Sequence, residues 1–160
     1  EFIKEHCAKY GKEGYPPAWK ILELASFGCL TKLYFNFADT GIKKKIARSY
    51  GVPQHEMLES WMKAVNALRN ACAHHERIWN RAMPVIPQLP GTLRNAWIAD
   101  KPQMTNRFYA VFCCLIYWLN AIEPENSLVR DFKFLLQKFP NVDTSAMGFT
   151  ANWKEDPFWL

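Results

Sequence analysis

A chain of 160 residues in which Lys and Arg outnumber Asp and Glu by 20 to 15, with a net charge of +5 and a pI near 9.0, carries a modestly basic surface. Such a surface permits an anionic partner without demanding one. Hydrophobic residues at 49% and aromatics at 15% exclude a disordered chain, and 160 residues fit one domain that buries its own core. The cysteines (Cys7, Cys29, Cys72, Cys113, Cys114) are odd in number and irregularly spaced, which argues against a disulfide framework and fits a reducing cytoplasm.

Pro16 and Pro17 precede the first periodic stretch, "AWKILELASFGCLTKLYFNFA". Trp19, Leu22, Phe27, Leu30, Leu33, Tyr34 and Phe37 recur there at spacings near three and four, which predicts one core-facing helix ending near Gly41. The basic segment "IKKKIARSY" predicts a short helix stopped by Gly51, with Lys43, Lys44, Lys45 and Arg48 on a solvated face and phosphate contact as the alternative. Pro53 suits the first turn of a longer helix running through Trp61, Val65, Leu68 and Cys72 toward Asn80.

Pro84, Pro87 and Pro90 then predict an extended loop. From about Thr105 a very apolar helix reaches Ile122 and is broken by Pro124. Its core, "FYAVFCCLIYWL", falls short of the ~20 residues that a bilayer crossing requires, so it reads as buried and no membrane is implied. Asn126 or Ser127 caps a last amphipathic helix through Lys138, which Pro140 ends, and the tail "MGFTANWKEDPFWL" packs over the bundle. No sustained two-residue alternation and no repeat is present, so the predicted class is all-α.

The third predicted helix carries "RNACAHHERIWNR", residues 69–81, whose cations repel one another unless the fold offsets that repulsion or uses it. Continued at about 100° per residue, the helix puts Arg69, Asn70, His74, Arg77, Asn80 and Arg81 within about 140° of one another. Leu68, Cys72, His75 and Trp79 fall on the opposite, apolar side, with His75 as a core or boundary histidine. A polar face of this kind fits a solvated stripe as well as it fits a site. Guanidiniums and amides can hold a phosphate, and an imidazole titrates near neutrality and can move protons.

"RNACAHHERIWNR" resembles the signature of Abi-like proteins, the abortive-infection bacteriophage-resistance family within the HEPN superfamily. That motif is an Arg, usually followed by a polar residue, and a His four to six positions later. Arg69, Asn70 and His74 match it, with His75 as a longer-spaced option. "YPPAW" (15–19), "FGCLTKLY" (27–34) and "MGFTANWKEDPFW" (147–159) extend the resemblance over nearly the whole chain. The resemblance implies a HEPN-like helical bundle that pairs as a homodimer, motif facing motif. Family members usually carry a further N-terminal region, so residues 1–160 read as a single domain forming the C-terminal part of a longer protein.

The activity implied is a metal-independent endoribonuclease without a cofactor. RNA carries its own nucleophile, the 2′-hydroxyl, so a proton-accepting His and cations that neutralise the phosphorane are sufficient chemistry. Arg69 and His74 would be the catalytic pair, and Asn70 would orient the phosphate or the His. Arg77 is the expected phosphate clamp, and Asn80, Arg81 and His75 complete the substrate-binding set. The expected partners are RNA, a second copy and a regulatory RNA or protein. The alternative is a HEPN-like module that binds RNA or protein without cleaving. A zinc site at Cys72, His74 and His75 is disfavoured because the adjacent histidines diverge on a helix and no Cys-x-x-Cys pair is present. A serine or cysteine hydrolase lacks its nucleophile elbow.

Overall fold

Seven α-helices and two 3₁₀ turns account for all the regular structure of the described residues in the computed structural model, which describes residues 2–11 and 16–160. Tyr15 of the "YPPAW" stretch lies outside them. The helices are α1 (Phe2–Tyr10), α2 (Ala18–Leu24), α3 (Phe27–Phe35), α4 (Thr40–Ser49), α5 (His55–Ala73), α6 (Phe108–Ile122) and α7 (Leu128–Lys138). The 3₁₀ turns are Ser145–Met147 and Pro157–Trp159. No strand occurs among the described residues, and the fold is all-α. No described helix is long and apolar enough to cross a membrane.

The chain divides into two compact units, Glu1–Asn36 and Phe37–Leu160. In the first, the expected single helix, read as ending near Gly41, is replaced by α2 and α3, because Ser26 caps a new helix: its side chain accepts from Cys29 N at 3.2 Å. Free backbone donors at a helix start attract such an oxygen, and the break turns the apolar pattern away from one common face. Trp19, Leu22 and Leu33 are consequently exposed rather than core-facing, while Thr31 and Tyr34 are buried.

The second unit is built on α5, which packs against α4 and α6. Along α5, Met57, Leu58, Trp61, Ala64, Val65 and Leu68 follow the helical repeat and are buried, as its period predicts. Helix α6 buries Tyr109 to Cys114, Ile116 and Tyr117, as expected of so apolar a sequence. Lys43 of α4 departs from the expected solvated face: it is buried and its ammonium meets Glu59 of α5 at 3.0 Å. A cation placed between two packed helices keeps its charge only with such a partner. Lys44, Lys45 and Arg48 are exposed.

The expected loop at Pro84, Pro87 and Pro90 lies within a longer connection, residues 74–107, that is free of helix and strand yet anchored. Trp61 Nε1 donates to the Gln88 carbonyl at 2.7 Å, and Trp97 stacks on Trp61 with centroids 5.6 Å apart. Tyr117 meets both indoles edge-on. The tail packs on the bundle: Phe149, Trp153 and Trp159 are buried in one aromatic cluster with Tyr109, Phe112 and Phe132. Helix α7 has no buried residue and leaves much of its apolar side open.

Candidate functional site

Helix α5 stops at Ala73, well before Asn80. His75 N donates to Cys72 O at 3.0 Å, Glu76 N donates to Ala71 O at 2.9 Å, and His75 takes φ 55°. This is a Schellman end, in which the residue after the C-cap turns left-handed and two otherwise unpaired carbonyls are satisfied. His74 is the C-cap residue, and its N–H still bonds to Asn70 O at 2.9 Å.

The chain leaves the helix here because the next residues are held elsewhere. Trp79 Nε1 donates to the Asp143 carbonyl at 3.1 Å, and Met83 N donates to Asn106 O at 2.8 Å. Asn80 is itself left-handed at φ 51°. Helical stepping therefore fails from His75 onward. Arg77, Asn80 and Arg81 do not share a helix face with Arg69, and the expected apolar side is corrected too. Leu68 is buried as predicted, but Cys72 and Trp79 are exposed, and His75 is an exposed residue rather than a core or boundary histidine.

What remains on α5 is a compact set. Arg69 Nη1 donates to Asn70 Oδ1 at 3.1 Å. Asn70 and His74, one turn apart, fall on one side of the helix end. Arg69 is exposed, Asn70 half-buried and His74 exposed. Beyond the helix, Arg81 pairs with Glu76, and Arg107 donates to Asn80 Oδ1 at 3.2 Å. Arg77 is exposed.

The like-charge repulsion that the sequence raises is relieved in part, since Glu76 neutralises Arg81. Glu76 and Arg107 were not among the expected site residues. Glu76 sits inside the quoted motif, whereas Arg107 joins it only through the fold.

Two of the cysteines are enclosed in the core. Burial pushes the Cys113 and Cys114 thiols up, away from the reactive thiolate. Among the described residues no group of three His, Cys, Asp or Glu side chains is arranged to hold a metal ion.

The family profile described as Abi-like protein matches residues 1–80. The chain belongs to the Abi-like protein family. The matched span takes in α1 to α5 and the motif as far as Asn80, and stops short of the 147–159 stretch. No curated protein and no solved structure matches the chain significantly. Within this Abi-like chain the Arg69, Asn70 and His74 cluster lies at the C-terminal edge of the span that defines the family.

Proposed function

We propose that this Abi-like chain is a metal-independent endoribonuclease of HEPN type serving a bacterial abortive-infection defence against phage. The carrying observation is the end of α5, where an exposed imidazole, His74, follows the hydrogen-bonded Arg69–Asn70 pair inside the family-matched span. In this reading His74 takes the proton of the RNA 2′-hydroxyl, and the 2′-oxygen attacks phosphorus. The P–O5′ bond breaks and the leaving oxygen takes up a proton. The Arg69 guanidinium and the Asn70 amide meet the charge that develops on the phosphorane. The products are a 2′,3′-cyclic phosphate and a free 5′-hydroxyl, and no metal or cofactor takes part.

Arg77 is the nearest further phosphate clamp in sequence, and Arg81, Asn80 and His75 border it. A homodimer would double the charge available to one phosphate. The proposed setting is the cytoplasm, with a regulatory RNA or protein restraining the activity. The test is incubation of the purified protein with mixed RNA in EDTA, followed by analysis of the product ends. His74→Ala should lower the cleavage rate by about 10²- to 10⁴-fold with the fold intact, because an exposed C-cap side chain leaves no core cavity. Arg69→Ala should be comparably damaging. Unchanged cleavage by His74→Ala, or activity that chelation abolishes and a divalent ion restores, would refute the assignment.

One observation favours a second reading. No described side chain hydrogen-bonds to the His74 imidazole, whereas a general base is usually oriented by a neighbour. If the protein binds RNA in a salt-dependent way and cleaves none, a non-catalytic RNA-binding module replaces the nuclease.

A further inference from the structure

Between the segment that follows α5 and the open side of α7 lies an apolar concavity of about 460 Å³. That is within the size range of small-ligand sites. Its walls come from Ile78 and Trp79 of the segment, from Phe108, and from Phe132, Leu135 and Phe139. Much of this surface meets water: Trp79 is 43% exposed, Leu135 50% and Phe139 51%. The Trp79 ring is held in place, because its Nε1 donates to the Asp143 carbonyl at 3.1 Å. Asp143 is itself fixed, its carboxylate accepting from Ser145 N at 2.9 Å and Ser145 Oγ at 2.6 Å.

The charged side chains that line the adjoining surface are cationic. An adjoining concavity shares Leu136, Phe139 and Val142 with the first and is lined by Lys133 and Lys154, and no Asp or Glu lines either one. Arg77 directly precedes Ile78. A ligand suited to this place has a flat apolar face and a negative charge beside it, which describes a nucleotide. Five peptide steps separate His74 from Trp79, a reach of at most about 18 Å. A base held here and a phosphate at Arg69, Asn70 and His74 therefore belong to one short stretch of strand.

We propose that this concavity seats an unpaired nucleobase of single-stranded RNA against the fixed Trp79 ring. The inference rests on RNA being the partner of the adjacent site and not on that site's cleaving it. A base paired within a duplex keeps both faces stacked and cannot enter, so single strands are selected. The apolar walls offer no hydrogen bonds to a base edge, so stacking here is tolerant of sequence.

The experiment measures anisotropy of a short fluorescein-labelled RNA of mixed sequence, single-stranded or annealed to its complement, with the full chain carrying His74→Ala so that nothing is cleaved. Single-stranded RNA should bind more tightly than the duplex. Adding Trp79→Ala should weaken single-strand binding by about 5- to 150-fold. Trp79→Phe, which keeps a ring but loses the Asp143 hydrogen bond, should recover most of it, and Phe139→Ser, outside the segment of the site, should also weaken binding. Thermal melts identify any variant that does not fold, and Phe139→Ser then carries the test independently of Trp79.

Equal binding of duplex and single strand, or unchanged binding by folded Trp79→Ala and Phe139→Ser, would overturn the proposal. So would sedimentation showing that the protein self-associates through this face and that Trp79→Ala makes it monomeric, since a second copy would then be the occupant. If wild-type protein cleaves no RNA while the Trp79 effects on binding hold, the base site stands and the nuclease reading falls.

Discussion

Helices α4 and α5 end in the same hydrogen-bond pattern around different residues. At the end of α4, Val52 N donates to Ala47 O and Gly51 N to Arg48 O, both at 3.0 Å, with Gly51 at φ 72°. At the end of α5 the corresponding bonds form around His75 at φ 55°. The first end is enclosed: a Cβ on Gly51 would lie 2.5 Å from the Tyr117 hydroxyl, which donates to Gly51 O at 3.1 Å. The second is open, with the imidazole in solvent. Glycine is required where the left-handed residue meets a packed wall. Where it meets water, as at His75, a side chain is tolerated at about 1–2 kcal/mol of backbone strain.

Gly51→Ala offers the strongest way to break this contrast. It adds left-handed strain and drives a methyl into a buried tyrosine, so unfolding in urea should reveal a loss of about 2–4 kcal/mol. A loss under 1 kcal/mol would show that the α4 end is no more enclosed than the α5 end. A smaller change of opposite sign is expected from His75→Gly. Relief of the strain, less the added freedom of the unfolded chain, should stabilise by about 0.5–1 kcal/mol. Destabilisation by His75→Gly would mean that the imidazole makes contacts holding the turn, and that the α5 end is not open.

The same pair explains what the sequence could reveal. Gly51 announces its helix end, and that end was expected where it lies. His75 announces nothing: Leu68, Cys72, His75 and Trp79 continue the helical period, so the pattern runs on past the true end. The decision is made by Trp79 and Asp143, whose hydrogen bond spans 64 positions and which no local pattern connects. Arg69 and Asn70 lie on the helix as expected and His74 is its C-cap, whereas Arg77, Asn80 and Arg81 fall after the left-handed residue. Lys43 was misread for a related reason, since its partner Glu59 belongs to the next helix. Helix α1 shows too little apolar periodicity to be expected at all, and no residue in it is buried.

The long anchored connection between α5 and α6 also bears on the order of assembly. Helices α4 and α5 are joined by a short turn, whereas α5 and α6 meet only after residues 74–107 have closed into a loop. The entropy lost in that closure falls before the contacts that reward it, which makes the α5–α6 junction the late, rate-setting event of refolding. Trp61 of α5 and Tyr117 of α6, one on each side of the closure, meet edge-on only once it is complete. Core truncations in α6 should therefore accelerate unfolding more than they slow folding, and truncations between α4 and α5 should do the reverse, a division that stopped-flow kinetics on paired variants would detect.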